Sequence, residues 1–263
     1  MPAGTPPRRT GAHEEWAWTL GSLATALLLW EGAVRTGVAV NTFLPAPSAI
    51  LRAAWALYAS ADIHEHLVTS GLEFVVGVTL AITLGVPVGV AIGGSPRIEA
   101  VLAPYLAAFY ALPKLALLPI IIIWVGISLW SVVVVVFLAG FFPIVVNLAT
   151  AVRSVDRSLL RVAESFEARE LRTIWTVVVP SSVPFFLAGL RLAVIGGLVA
   201  IVVGEMYASR AGLGYLVAVT GATLQVTKMF AAVLGLTLSG LVALWAIDRT
   251  QQRVERWRPA RLT

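Results

Sequence analysis

The sequence predicts an all-α membrane protein with six transmembrane helices and one long cytoplasmic loop. Apolar residues make up 59% of its 263 residues, and charged residues only 13%. Soluble domains carry about 25% charged residues, so 14 acids and 19 bases cannot cover the surface of a water-soluble domain of this length. These counts exclude a water-soluble enzyme. Because the chain has no cysteine, they also exclude a disulfide framework and a thiolate metal site.

Each predicted span is an apolar stretch between charges, since crossing a bilayer takes about 20 mostly apolar residues. Residues 1–15 are rich in Pro and Gly and predict a disordered cytoplasmic tail rather than a signal peptide. The apolar run from Trp16 continues past Glu31 and predicts a first span at 16–35, followed by an external segment at 36–69. Residues 74–96 carry no charge and predict a second span at about 70–94.

The other four spans complete a core over residues 70–247. Residues 115–152 are uncharged, and as one helix these 38 residues would reach about 57 Å, nearly twice the hydrocarbon thickness. The chain must therefore fold back, and a turn at 126–128 is predicted between spans at about 101–125 and 129–149. Pro180 and Pro184 are expected to break the next helix, which predicts a fifth span at 185–204 and a sixth at 229–247, before a basic cytoplasmic tail at 248–263.

Basic residues are divided unequally between the two sides of these spans. With the N-terminus inside, the cytoplasmic segments hold thirteen arginines, whereas the external segments hold only Arg35, Arg52, Arg210 and Lys228. This bias predicts a multi-pass protein of the plasma membrane with both termini in the cytoplasm. It also accounts for the net charge of +5, so the lipid bilayer is an expected partner and nucleic acid is not.

The cytoplasmic loop at 151–183 is the longest connection and contains a predicted amphipathic helix. Asp156 can cap this helix. Apolar side chains at helical spacing form a stripe along it: Leu159, Ala163 and Phe166. The charged side chains lie opposite this stripe: Arg161, Glu164, Glu167 and Glu170. Such a stripe needs a groove on another protein. The alternative is a helix that lies on the lipid headgroups, although its acidic face suits an anionic membrane surface poorly.

The loop resembles the cytoplasmic EAA loop of ABC importer permeases, which reads E-A-A, three residues, G, nine residues, I-x-L-P. The matching segments are 160–163, 166–168 and Val177 to Pro180. The resemblance implies the type I ABC importer permease fold in a bacterial inner membrane. It also implies that a short coupling helix docks into a groove on the ATPase subunit, through positions that correspond here to Leu159, Leu160, Arg161, Ala163, Glu164, Phe166, Glu167, Ala168 and Pro180.

Further segments extend the resemblance over about residues 44–247 and resemble the nitrate/sulfonate/taurine-type branch. They are L-P-A-P-S at 44–48, L-P-K-L-A-L-L-P at 112–119, W-V-G at 124–126, F-F-P at 141–143 with Asn147, G-L-R-L-A at 189–193, G-E-M at 204–206 and G-L-G-Y-L at 212–216. The resemblance implies a small anionic solute such as a sulfonate, taurine or nitrate, although relatives carry aromatic acids and vitamin precursors. Two ATPase subunits, a second copy of this chain and an extracytoplasmic binding protein are the implied partners.

Three positions of the loop depart from the family pattern. Arg161 stands where the family has Glu, Val162 where it has the first Ala, and Glu167 where it has Gly. A glycine there permits a turn with positive φ, which Glu would oppose. We therefore expect the helix to run past residue 167 or the loop to bend elsewhere, and we expect an ATPase partner whose groove differs from the usual one.

Residues that could line the translocation path are few. Pro113 and Pro119 interrupt the third span, and Lys114 lies between them, where it could attract an anion or pair with an acid or a helix-end carbonyl. Arg191 in the fifth span could contact substrate, but its spacing favours snorkelling or capping of the loop below. Glu205 at the outer end of that span could form a gate or pair with Arg210, and the structural role is favoured.

Other features of the sequence do not predict catalysis. A nucleotide-binding loop needs G-x-x-x-x-G-K-[ST], and the only lysines are Lys114 and Lys228, which lie outside any such motif. His64 and His66 are two residues apart and do not share a helix face, so neither a metal nor a cofactor is expected. Gly85, Gly89 and Gly93 share one face of the second span and predict close helix packing.

A secondary transporter is the competing class. It would need internal repeats and coupling carboxylates near the middle of the membrane. The acidic residues instead lie in loops or at span ends, where Glu31 and Glu73 are expected to reach water. An intramembrane enzyme is not favoured, because no pair of catalytic side chains is evident within the spans.

Overall fold

The long apolar stretches form helices in the computed structural model, which describes residues 12–38 and 43–255. Within these ranges all the regular secondary structure is helical, and there is no strand. The first helix, α1 (Ala12–Arg35), begins four residues before the predicted first span, so the predicted disordered tail is wrong for residues 12–15. The rest of that tail lies outside the described residues.

The external segment and the second span form two helices. Helix α2 (Pro47–Tyr58) has Pro47 in its first turn, where a missing N–H costs nothing. Glu31 of α1 accepts hydrogen bonds from the backbone N–H of Ser48 (3.0 Å) and from its hydroxyl (2.7 Å), so it caps α2 instead of only reaching water. Helix α3 (Ile63–Gly94) begins seven residues before the predicted second span.

The third span is sharply bent, where a helix within 101–125 was predicted. Helix α4 (Pro96–Ala111) ends at the Leu112-Pro113 pair, and a short 3₁₀ turn (Lys114–Leu117) leads into α5 (Leu118–Val125). The two halves are bent by 86°. Pro113 lacks an N–H and keeps Leu112 out of the helical region, which explains why the bend falls here.

The chain turns back at residues 126–128, as predicted, and continues as α6 (Leu129–Arg153). Gly126 ends α5 with φ of 85°, a conformation that glycine adopts without strain. The next segments are α7 (Arg157–Ser165), a single turn α8 (Glu170–Thr173), one π-helical stretch (Ile174–Val178), and then α9 (Val179–Ala208), α10 (Leu213–Ala222) and α11 (Val226–Glu255).

Helix α9 contradicts the predicted start of the fifth span at residue 185. Pro180 lies in its first turn and Pro184 lies inside it, so neither proline ends the helix. The π-helical stretch at Ile174–Val178 leads directly into α9, so the chain is helical on both sides of Pro180. Helix α11 likewise runs to Glu255, beyond the predicted end of the sixth span at 247. The described residues thus contain five helices that can cross a membrane, or six with the bent pair.

Helix α6 is the centre of the core and packs between α3 and α9. The glycine face predicted on α3 lies against it, since a Cβ on Gly89 would lie 2.9 Å from the Val145 carbonyl and one on Gly93 2.7 Å from that of Ala149. Backbones approach this closely only where side chains are absent, and membrane helices associate through such contacts. The prediction of close packing is therefore confirmed.

A second cluster joins α2, α10, α11 and the first residue of α3 at one end of the bundle. Its buried members are small or aliphatic: Ala54, Leu57, Ile63, Leu213, Leu216, Ala231 and Ala232. The phenol of Tyr58 donates a hydrogen bond to the Ala231 carbonyl (3.3 Å) and packs on Gly235. Burial raises the pKa of Tyr58, which keeps the donor protonated. This cluster fixes α10 at the end of the bundle opposite α7.

Candidate functional site

The loop between α6 and α9 carries the predicted docking helix, α7. The Asp156 carboxylate accepts a hydrogen bond from the Ser158 N–H (2.8 Å), so Asp156 is the N-cap that the sequence predicts. The helix then continues from Arg157 to Ser165. Helix α6 ends at Arg153 and the chain is helical again from Glu170, so most of the predicted loop at 151–183 is helical.

Glu167 adopts the left-handed conformation, with φ of 51°. Its N–H donates to the Glu164 carbonyl (2.9 Å), and the N–H of Ala168 donates to that of Ala163 (3.0 Å). This pair of bonds is the Schellman motif that ends many helices. The expectation that Glu would prevent this turn is therefore wrong, since the chain bends at residue 167 in the manner for which the family uses glycine.

Three apolar side chains of this loop are exposed in a row: Leu159 (46%), Val162 (53%) and Phe166 (82%). The predicted stripe contained Ala163, which is buried instead, so Val162 takes its place. Arg161, Glu164 and Glu167 are exposed around this row, Leu160 and Ala168 are half-buried, and Pro180 is exposed in the first turn of α9. The loop thus offers an apolar row bordered by charges, a surface suited to a groove on another protein.

Lys114 lies at the bend between α4 and α5. Its ammonium donates a hydrogen bond to the Tyr110 carbonyl (2.6 Å), one of the unpaired carbonyls at the end of α4. The same nitrogen lies 4.8 Å from the centre of the Tyr110 ring and 5.7 Å from that of Phe142. Of the alternatives weighed for Lys114, a helix-end carbonyl is the partner observed, and the side chain stays partly exposed.

Arg191 of α9 forms an ion pair with Asp248 of α11. This pair joins two helices on the half of the bundle nearer the coupling loop, because α9 runs away from that loop and Arg191 precedes its middle. A second ion pair, between Arg153 and Glu99, joins α6 to α4. Arg191 thus has a partner within the bundle.

Glu205 lies at the far end of α9, fully buried beneath the first turn of α10. Its carboxylate accepts a hydrogen bond from the Gly214 N–H (2.6 Å). Two side chains of α3 complete the cap, because the Leu213 N–H donates to the Ser70 hydroxyl (2.8 Å) and the Gly212 N–H to His66 Nδ1 (3.0 Å). Glu205 therefore serves as a helix cap, and none of the ion pairs among the described residues joins it to Arg210.

Two glycines make this cap possible. A Cβ on Gly212, whose φ is 111°, would lie 2.3 Å from the Glu205 carboxyl carbon, and a Cβ on Gly214 would lie 2.6 Å from the Val202 carbonyl. The sequence pattern of a glutamate followed by G-L-G thus has a packing reason. Gly212 supplies the positive φ and both glycines supply the space for the carboxylate.

Glu73 of α3 is the residue that sequence reasoning placed wrongly. It was expected to reach water, but it is fully buried and lies against Glu205. The sequence did contain a signal, since Glu73 interrupts the long apolar stretch of α3 three residues after Ser70, on the same helix face. Among residues 12–38 and 43–255, no group of three His, Asp or Glu side chains could hold a metal ion.

The bundle and its exposed loop define the class of the protein: a multi-pass helical membrane component of a larger assembly. The family model described as "Binding-protein-dependent transport system inner membrane component" matches residues 81–256. The chain belongs to this family, as the transmembrane permease subunit of an ABC importer of the nitrate/sulfonate/taurine type that carries a small solute.

Relatives match over nearly the whole chain. The taurine transport system permease protein TauC of Escherichia coli is 28% identical over 256 residues, covering 92% of this chain and 93% of that protein. The riboflavin transport system permease protein RibX of Chloroflexus aurantiacus is 31% identical over 256 residues, covering 96% and 95%. The relatives thus differ in the solute for which they are named.

The MetNI methionine ABC transporter, solved in inward-facing conformations, shares the fold. One of its chains superposes with a TM-score of 0.57 at 18% identity, covering 79% of this chain and 96% of that chain. The protein therefore has the type I ABC importer permease fold and is not an enzyme, because ATP is hydrolysed by a separate ATPase subunit. Its partners include that ATPase, a binding protein and the inner membrane.

Proposed function

We propose that two copies of this chain, on two ATPase subunits, form the path for a small anionic solute of the sulfonate, taurine or nitrate type. In this arrangement both termini and the α7 loop lie in the cytoplasm, and an external binding protein delivers the solute at the α10 end. The thirteen arginines of the α7 side and of the two tails support this orientation.

The exposed row formed by Leu159, Val162 and Phe166 is the observation that carries the proposal. A contiguous apolar surface that is exposed outside the membrane spans marks a binding site, because the apolar side chains leave water only when a partner covers them. The ATPase is the partner proposed for this surface. Phe166 is the most exposed of the three and the largest, so it is the side chain that would fill a pocket in the ATPase groove.

Replacing Phe166 with Ala tests the docking surface. We expect the variant to lower the affinity of the permease for its ATPase by about tenfold or more, as at interface hot spots. Trp55→Ala is the matched control, since Trp55 is a similarly exposed aromatic residue on α2. Copurification from lipid nanodiscs with titrated ATPase measures both. Unchanged affinity in Phe166→Ala, or an equal loss in Trp55→Ala, would contradict the proposed surface.

Uptake into proteoliposomes tests the transport mechanism. ATP-dependent uptake that requires the ATPase is the expected result. Uptake that continues without the ATPase would favour a secondary transporter instead. Mass measurement of the purified complex counts the chains, and two copies of each subunit are expected.

Lys114 supports an anionic solute, because it is a partly exposed cation at a break in a membrane span. Pro113 provides the break, and the path proposed here passes Lys114. Arg191 and Glu205 are proposed as residues that hold the bundle around this path, because each has a partner within it. The alternative solute is an aromatic acid or a vitamin precursor, and the relative named for riboflavin shows that the family is not confined to small anions.

Lys114→Met tests the anionic path. We expect reduced uptake at limiting solute, because the variant lacks the charge, whereas Lys114→Arg retains most of the uptake. Lys228→Met is the control, since it removes the chain's other lysine. Initial rates with radiolabelled taurine or an alkyl sulfonate provide the measurement. Unchanged uptake in Lys114→Met would show that Lys114 is not an anion site.

A further inference from the structure

The buried carboxyl groups of Glu73 and Glu205 have unequal surroundings. Glu205 accepts a hydrogen bond from the Gly214 N–H (2.6 Å), and the Tyr215 N–H and the Ser70 hydroxyl lie beside its carboxylate as further donors. These donors belong to or adjoin the first turn of α10, whose helix dipole also favours a negative charge. Glu205 is thus equipped to remain ionised inside the bundle.

Glu73 has none of these donors. Both of its carboxyl oxygens are buried without an N–H or O–H partner, and one oxygen of Glu205 is also left without a donor. An unpaired buried carboxylate is among the most costly groups in a protein interior. Two ionised carboxylates in contact would add mutual repulsion to that cost.

No cation compensates the pair within the described part of the chain. Its ion pairs involve Glu31, Arg153 and Arg191, away from this site. From α10 the titratable neighbour is Tyr215, and from α3 it is His66, whose ring stacks on that of Tyr215 at 6.2 Å. His66 accepts the Gly212 N–H through Nδ1. The α6 atoms nearest to Gly77 of α3 and Gly204 of α9, at this end of the bundle, belong to valines.

We propose that Glu73 and Glu205 form a proton-binding site that holds one proton, carried by Glu73 and donated to the free carboxyl oxygen of Glu205. One O–H bond on Glu73 then supplies the donor that both groups lack, and the pair keeps a single negative charge beneath α10. The site belongs to the permease alone and does not depend on the solute or the ATPase.

The proton links the position of α10 to pH. Removing it leaves two negative charges in contact, which separates the carboxyl groups and releases the cap on α10. The cap is therefore complete while the pair holds a single proton, and it is lost as the pH rises and that proton leaves. The affected helix lies at the end of the bundle where the proposed function places the binding protein.

Infrared spectroscopy and hydrogen exchange of the full-length permease in lipid nanodiscs test the site. At neutral pH we expect the C=O stretching band of a neutral carboxylic acid in the wild type, with its loss in Glu73→Gln. At alkaline pH we expect the protection factors of the amides in Leu213–Ala222, which compare each exchange rate with the base-catalysed rate of an unprotected amide, to fall by about ten- to a hundredfold in the wild type, as for one lost hydrogen bond to a charged group. Glu73→Gln should stay protected, because its amide remains a neutral donor.

Two further variants complete the test. Glu65→Gln, at an exposed position of α3, should keep both the band and the alkaline transition. Glu205→Gln should keep the band but exchange faster in α10 at every pH, since the anionic acceptor is gone. A wild type without the band, or a Glu73→Gln variant that retains it, would overturn the proposal. If Glu73→Gln does not fold, the wild type alone tests the proposal. The band and the protection of α10 should then be lost over the same pH range, and loss over different ranges would overturn the proposal.

Discussion

Glu167 shows how little energy separates a family's usual residue from a substitute. A left-handed conformation costs a non-glycine residue about 1–2 kcal/mol. The two hydrogen bonds of the Schellman turn and the need to direct the chain back towards α9 offset that cost. Leu224 adopts the same conformation, with φ of 56°, after α10. Residue type alone therefore could not predict where the loop bends.

Glu167→Gly is the variant that separates backbone strain from docking. We expect slower amide exchange in α7, because glycine removes about 1 kcal/mol of strain, together with weaker binding to the cognate ATPase, because a charge that we hypothesise to suit its groove is lost. Leu224→Gly provides the control, since it relieves the same strain at the other end of the bundle. Stronger assembly with undiminished transport would show instead that Glu167 is an impairment.

At the scale of the helices, most of the fold could be predicted from the sequence. Apolar stretches of about 20 residues and the turn at Gly126 depend on local composition, which the sequence displays directly. Apart from the starts of α1 and α3 and the end of α11, the main errors in the helix bounds occurred where the effect of a proline depends on its surroundings. Pro184 is accommodated inside α9, whereas Pro113 accompanies a bend of 86°. Neighbouring helices decide between these outcomes, because they can satisfy the backbone groups that a proline frees.

The seam between α3 and α6 predicts different effects at two adjacent glycines. Gly93→Ala should destabilise the permease by about 1–3 kcal/mol, because its Cβ would lie 2.7 Å from the Ala149 carbonyl. Gly94→Ala should have no such effect, since nothing lies within 4 Å of the added Cβ. Thermal unfolding in nanodiscs compares the two variants directly. Equal stabilities would mean that the helices do not pack as closely as described.

At the scale of the whole molecule, the candidate site was only partly predictable. The docking helix could be found because amphipathic spacing is a local pattern, although the choice of Val162 over Ala163 depends on how α7 is rotated. The cap on α10 could not be found in the same way. It joins Ser70 to Glu205 across three helices, and no local pattern records which faces of distant helices meet.

The proposed orientation can be tested because the wild-type chain contains no cysteine. Single cysteines at Ser158 and Ala222 lie at exposed positions at opposite ends of the bundle. In intact cells, a membrane-impermeant maleimide should label Ala222→Cys, whereas Ser158→Cys should react only after the cells are permeabilised. The cysteine-free wild type controls for background. The reverse pattern would place the α7 loop outside and contradict the proposed topology.

The Glu73–Glu205 pair also has a consequence for how the protein is made. Ribosomes synthesise the N-terminal part first, so α3 enters the membrane long before Glu205 has been translated. An ionised side chain in an inserting helix costs up to about 3 kcal/mol near the helix centre. A Glu73 that is already neutral during insertion lowers this cost, and it reaches the finished bundle in the state that Glu205 requires. The same proton would thus first lower the cost of inserting α3 into the membrane and later stabilise the cap on α10.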